Sequence, residues 1–221
     1  MSAEVAVATP SIHESRPEWR GRIHSWAFFV AIPASIALVW AAEGAAATVG
    51  VSIYCASLIL LFGTSAAYHR LAHSDRARSV MQRLDHSMIY LLIAGTDVPL
   101  CLVVLPPEWG IPVLAVIGTF ALVGVTLKLT GFERMGWLSY ALYPIMGWVA
   151  VVALPALVQH LTVPQLALIA GGGLAYTLGL PVLVRRRPDP WPTVFGYHEV
   201  WHVFTVVAAT MHFAAVTNVV A

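Results

Sequence analysis

The chain has 221 residues, 59% of them hydrophobic and only 10% charged, with a formal net charge of +1 and a mean hydropathy of +0.78. That leaves too little polar surface to coat a water-soluble globule, so the composition specifies a membrane protein. The charge gives no reason to invoke nucleic acid as a partner, and the two cysteines, Cys55 and Cys101, fall inside apolar runs as small buried side chains, with no disulfide framework.

Residues 1–20 are polar and contain proline, with no basic stretch leading into an apolar one, so they are expected to form a flexible cytoplasmic tail and not a signal peptide. The remainder, residues 21–221, forms one domain. Apolar runs of about 20 residues, enough to cross roughly 30 Å of hydrocarbon, occur near residues 23–42, 45–68, 86–105, 110–129, 137–158, 163–184 and 194–220. They predict an all-α membrane protein, a bundle of seven transmembrane helices.

The basic residues test that count. Arg16, Arg20 and Arg22 lie at the start of the first span; Arg70, Arg76, Arg78 and Arg83 follow the second; Lys128 and Arg134 follow the fourth; Arg185, Arg186 and Arg187 follow the sixth. All twelve therefore fall on one side, and the retention of Lys and Arg in short cytoplasmic loops makes that side the cytoplasm. The N-terminus is inside and the C-terminus outside. A missed or extra span before the last loop would scatter these charges over both faces.

Trp26, Tyr68, Trp109, Trp137 and Trp191 stand near span ends as interfacial anchors. Pro33, Pro99, Pro144, Pro155 and Pro181 each remove a backbone donor inside a span and are expected to kink it. In the sixth span Ala167, Gly171, Ala175 and Gly179 recur every four residues. Such a stripe of small residues lets another helix approach closely; packing within the chain is the favoured reading, with a homo-oligomer face as the alternative.

The topology assigns a depth to each polar side chain. His69 ends the second span, with Ser65 one turn deeper on the same face; Asp85 and His86 begin the third; His198 and His202 occupy the first turns of the seventh. Three helices thus bring His69, Asp85, His198 and His202 to one level at the cytoplasmic boundary. Histidine and carboxylate are costly in lipid and turn toward a bundle interior or a wet cavity. His198 and His202, at i and i+4, project from one helix face about 6 Å apart along the axis, a spacing that suits two imidazoles on one tetrahedral zinc. His69 would be the third ligand and water the fourth, the open position that distinguishes a catalytic zinc from a structural one. Asp85 is placed to accept a hydrogen bond from that water, whose pKa the metal lowers toward about 7, or to orient a ligand; Ser65 could hydrogen-bond Asp85 or a substrate carbonyl. The competing reading is a set of separate interfacial histidines satisfied locally; their coincidence at one depth favours the metal.

Other polar residues are weaker candidates. His212, ten residues past His202 and so about 15 Å along the helix, cannot share that metal and is expected to make a hydrogen bond within the bundle. Asp97 lies about 18 Å beyond Asp85, near mid-membrane, and has two readings: a functional group, or a protonated acid bonded to a neighbouring helix. Glu43 and Glu108 are expected in solvated outer loops. His13, His24, His73 and His160 are expected at loops or boundaries without a partner.

His198, Glu199 and His202 also spell H-E-x-x-H, the zinc-protease signature. In intramembrane zinc proteases a further, usually acidic, ligand follows well downstream; here nineteen residues follow His202 and none is acidic. Glu199 projects about 100° away from His198, and is read as an interfacial acid. Haem is disfavoured, because ligands on opposite faces of a macrocycle do not call for an i, i+4 pair.

The segments "SAAYHR" (Ser65 to Arg70), "RLDHSMIYLLIAGT" (Arg83 to Thr96) and "HEVWHVFTVVAATMHF" (His198 to Phe213) resemble, in order, spacing and span, the three signatures of the hemolysin III family, the bacterial branch of the progestin and adipoQ receptor superfamily that includes adiponectin receptors. The resemblance implies a seven-helix bundle in the bacterial inner membrane with zinc held by His69, His198 and His202, Asp85 on the zinc-bound water and Ser65 in the polar shell. Family members commonly carry an uncharged residue where this chain has Asp97, and do not require the glutamate of H-E-x-x-H. Superfamily relatives that resemble ceramidases imply hydrolysis of a lipid amide or ester, the membrane lipid entering laterally as substrate. The alternative is a non-enzymatic sensor or regulator of membrane state with a structural zinc. Pore formation is disfavoured, since no amphipathic lytic segment is present.

Overall fold

The computed structural model describes residues 17–130 and 136–220. Among these the helices are α1 (Arg22–Ala41), α2 (Ala45–Leu71), α3 (Asp75–Pro99), α4 (Pro107–Thr130), α5 (Gly136–Val149), α6 (Leu154–His160), α7 (Val163–Arg185) and α8 (Tyr197–Val220). They supply seven helical stretches long and apolar enough to cross a membrane, and the described residues contain no strand beyond one isolated bridge, Trp191 to Phe195. The expected all-α bundle is therefore present. Arg134 and His13 lie outside the described residues.

Two of the five prolines interrupt their helical runs. After Pro99 the third span continues as a π-helical turn, Leu100–Val104, and ahead of Pro155 the fifth passes through a 3₁₀ turn, Ala150–Ala153, before α6. Proline lacks the N–H for the bond one turn back and crowds the carbonyl there, which is why the ladder changes register at these points. Pro33, Pro144 and Pro181 sit inside unbroken α1, α5 and α7. At the other end of the third span, α3 starts at Asp75, well ahead of the apolar run from residue 86, because the Ser74 hydroxyl caps it by accepting the Ala77 N–H at 3.2 Å.

Large apolar side chains such as Trp40, Leu122 and Val163 are exposed on the outside, as a lipid solvent permits, so close approach and not greasiness distinguishes the interior. One core joins α1, α2, α3 and α8 through Leu38, Val51, Tyr54, Phe62, Leu92 and Val216; the other joins α3 to α4, α5 and α6 through Tyr90, Ile117, Tyr143, Met146 and Leu157. A side chain at Gly124 would run into the Tyr90 ring, so α4 can lie against α3 only with glycine there. On the small-residue stripe of α7, Gly171 and Gly179 face Met211, Trp201 and Phe204 of α8, which makes the stripe an intramolecular packing face.

Arg22, Arg70, Arg76, Lys128 and Arg185 stand at the starts of α1 and α3 and the ends of α2, α4 and α7, the same end of an up-and-down bundle. A strap closes this basic end. The Glu18 and Trp19 N–H groups donate to the carbonyls of Thr193 and Val194, both at 3.1 Å, in the loop before α8. The ordered bundle thus reaches back to Pro17, into what the sequence suggests is tail.

Candidate metal centre

His69 sits in the last turn of α2, while His198 and His202 face it from the first two turns of α8. The His198 Nε2 lies 3.1 Å from the His69 Nε2, and the ring centroids of His69, His198 and His202 are separated by 4.6 to 5.1 Å. One nitrogen from each lies within 4.8 Å of the others. Two imidazoles on one tetrahedral zinc stand about 3.3 Å apart at their nitrogens, given bonds of about 2.0–2.1 Å, so the closest pair is already at ligand spacing. His69 and His202 are buried, and the His202 Nδ1 has no hydrogen-bond partner. Three neutral-capable nitrogens converging in a buried place, one imidazole carrying an orphaned atom, is a donor set that suits zinc.

Helix geometry explains the convergence. Residues i and i+4 of α8 share a face, and α8 starts where that face meets the end of α2. The start is fixed by two backbone donors: the Gly196 N–H donates to Glu199 Oε2 at 2.9 Å, and the Tyr197 N–H to Asp189 Oδ1 at 2.8 Å. Glu199 therefore occupies the third helical position and reaches back to the cap, half of a capping box. Its other oxygen accepts a 2.6 Å hydrogen bond from Arg20 Nε, and the carboxylate is fully buried. The reading of Glu199 as an interfacial acid is thereby corrected: the glutamate of H-E-x-x-H is committed to a buried ion pair and a helix cap.

Ser65, one turn before His69 on α2, is buried and its hydroxyl neighbours the Asp85 carboxyl group of α3. Asp85 is thus tied to the helix that presents His69. The His86 carbonyl accepts from the Tyr143 hydroxyl at 2.9 Å, and its imidazole is near enough to His198 to act on it electrostatically. His212 donates from Nε2 to the Ile169 carbonyl at 3.2 Å, as expected. His160 bonds the Ala156 carbonyl at 2.8 Å, and His73 is exposed. Asp97 is buried at the wall of an internal cavity of about 140 Å³, which Thr96, Tyr176, Thr205 and His212 also line. Thr205 places that cavity one turn of α8 beyond His202.

Sequence reasoning missed His24. It is buried, with its ring stacked on His202 at a centroid separation of 3.7 Å and an interplanar angle of 9°, so it is not without a partner. The signal was available: the start of the first span lies on the same side as the starts of the third and seventh, which puts His24 at the depth of His198 and His202.

Seven apolar helices with three convergent imidazoles at their basic end define a multi-pass membrane protein with a centre able to hold a metal ion. The sequence profile of the family described as Haemolysin-III related matches residues 12–213. The chain is 33% identical over 196 residues to Hemolysin-3 of Bacillus cereus, covering 87% of this chain and 86% of that protein. It is 29% identical over 196 residues to the Hemolysin-3 homolog of Bacillus subtilis (strain 168), covering 87% and 89%. The chain belongs to the haemolysin III family.

Proposed function

We propose that His69, His198 and His202 hold a zinc ion and that the protein hydrolyses amide or ester bonds of membrane lipids, from the inner membrane of a bacterial cell with its basic end in the cytoplasm. The observation that supports this most is the triad itself, three nitrogens within 4.8 Å of one another. Three protein ligands with a fourth position left over is the arrangement of catalytic zinc sites. Zinc bound there would polarise a carbonyl and acidify water. The chain's own residues do the rest. The Ser65 hydroxyl orients Asp85, which takes a proton from water and returns it to the leaving group. The cavity beyond His202 takes the apolar part of the lipid and keeps bulk water out. Resemblance to the progestin and adipoQ receptor superfamily points to the same substrate class.

The test is a comparison of lipid extracts from cells with the protein, without it, and with His198→Ala/His202→Ala. Amide-linked or ester-linked lipids should accumulate equally in the last two; identical profiles in all three would remove the hydrolase. A second reading, a structural ion tying α2 to α8 in a sensor of membrane state, draws on the strap: Gly21 lies directly against His69, and Arg20 on Glu199, closing the basic end over the triad.

A further inference from the structure

His24 is the buried polar group for which the triad leaves no task. Both its ring nitrogens are buried and have no hydrogen-bond partner among the described residues, while one face of the ring lies flat on His202 and Phe62 packs edge-on at 5.1 Å. A phenyl ring would offer the same stacking without stranding two polar atoms, each of which carries a desolvation cost that a native interior seldom tolerates unpartnered. The nitrogens therefore serve something that the described protein atoms do not supply.

That something is not the ion itself. An imidazole binds a metal along a nitrogen lone pair, in the plane of its ring. The rings of His24 and His202 are stacked, parallel to within 9° with their centroids 3.7 Å apart, so an ion lying in the plane of one does not lie in the plane of the other. We infer that His24 is a positioning residue of the metal centre: its N–H hydrogen-bonds the non-protein group that completes the coordination of the ion held by His69, His198 and His202, whether water or the oxygen of a lipid carbonyl. Ion and His24 then divide the roles of charge and direction, and α1 enters the site with α2 and α8. The Arg20 to Glu199 ion pair, one turn ahead of His24, holds α1 against α8 for this purpose. The inference rests on the metal reading above.

Full-length protein in detergent, loaded with cobalt in place of zinc, reports both layers separately, since the visible spectrum of cobalt follows the group in the open position. Azide is the probe. His24→Phe keeps the stack and removes the nitrogens; it should bind one cobalt per chain and take azide about tenfold more weakly than the unaltered chain. Azide affinity within about threefold of the unaltered chain would overturn the inference, as would a folded His24→Phe chain that loses cobalt outright, since the ion itself would then need the nitrogen. Should His24→Phe not accumulate as folded protein, His24→Met against His24→Gln carries the same comparison, because the two are close in length and only glutamine has an N–H to donate. Equal cobalt uptake by the unaltered chain and His198→Ala/His202→Ala would instead sink the metal reading, so the two failures are told apart.

Discussion

Arg20 and Glu199, separated by 179 residues, meet at 2.6 Å with the carboxylate fully buried and the guanidinium side chain 20% exposed. The asymmetry decides which half is costly to lose. Arg20→Ala strands a buried carboxylate and should destabilise the protein by about 3–5 kcal/mol. Glu199→Gln leaves an arginine able to reach water and should cost less, about 1.5–3 kcal/mol. Denaturant unfolding in detergent reads both; a larger loss for Glu199→Gln would contradict this account of the pair. Metal content should be unchanged in Glu199→Gln, because this carboxylate is committed to Arg20 and the Gly196 N–H.

Gly21 has φ of +77° and lies against His69, where an added Cβ would sit 2.6 Å from the His69 Cβ. Gly21→Ala meets both the left-handed backbone penalty, about 1–2 kcal/mol, and displacement of a triad imidazole. The expected result is a lower unfolding temperature together with weaker zinc retention in a chelator titration. Unaltered retention would mean that the strap does not bear on His69.

Packing between α3 and α4 is tested by two glycines on one helix. Gly124→Ala drives a methyl into the buried Tyr90 ring and should destabilise by about 1–3 kcal/mol. Gly118 has nothing within 4 Å of an added Cβ, so Gly118→Ala should stabilise by up to about 1 kcal/mol through helix propensity. Changes of the same sign in both would contradict the arrangement of these helices.

Asp97 is buried within the third span, at the wall of the cavity. Asp97→Leu should stabilise the chain by about 1–3 kcal/mol, since it replaces a buried polar group with an apolar one, while leaving metal content at the unaltered level. Destabilisation would show a structural role for the carboxyl.

The span count and the triad were legible because both rest on periodicity and on a one-sided charge distribution that the bundle keeps. His69 and His198 could be set at one depth from topology alone, and the i, i+4 relation of His198 to His202 needs only a helix. What stayed hidden depends on lateral packing, which depth does not encode. The start of α1 could lie beside any neighbour, so neither the stack of His24 on His202 nor the reach of Arg20 to Glu199 could be read off. Pro155 was recognised as a breaker, yet whether a proline bends a helix or is absorbed, as Pro33 and Pro181 are, depends on how neighbouring backbone groups are satisfied. The start of α3 was placed late because Arg76, Arg78 and Arg83 dilute hydropathy where the helix leaves the apolar layer.

The account depends on three imidazoles from two helices gripping one ion. Metal analysis by mass spectrometry of the purified full-length protein, beside His198→Ala/His202→Ala prepared identically, addresses it most directly. About one zinc per chain in the first and less than about a tenth of that in the second is the predicted result. Equal zinc in both, or none in the unaltered protein after zinc loading, would contradict it and leave only the seven-helix bundle.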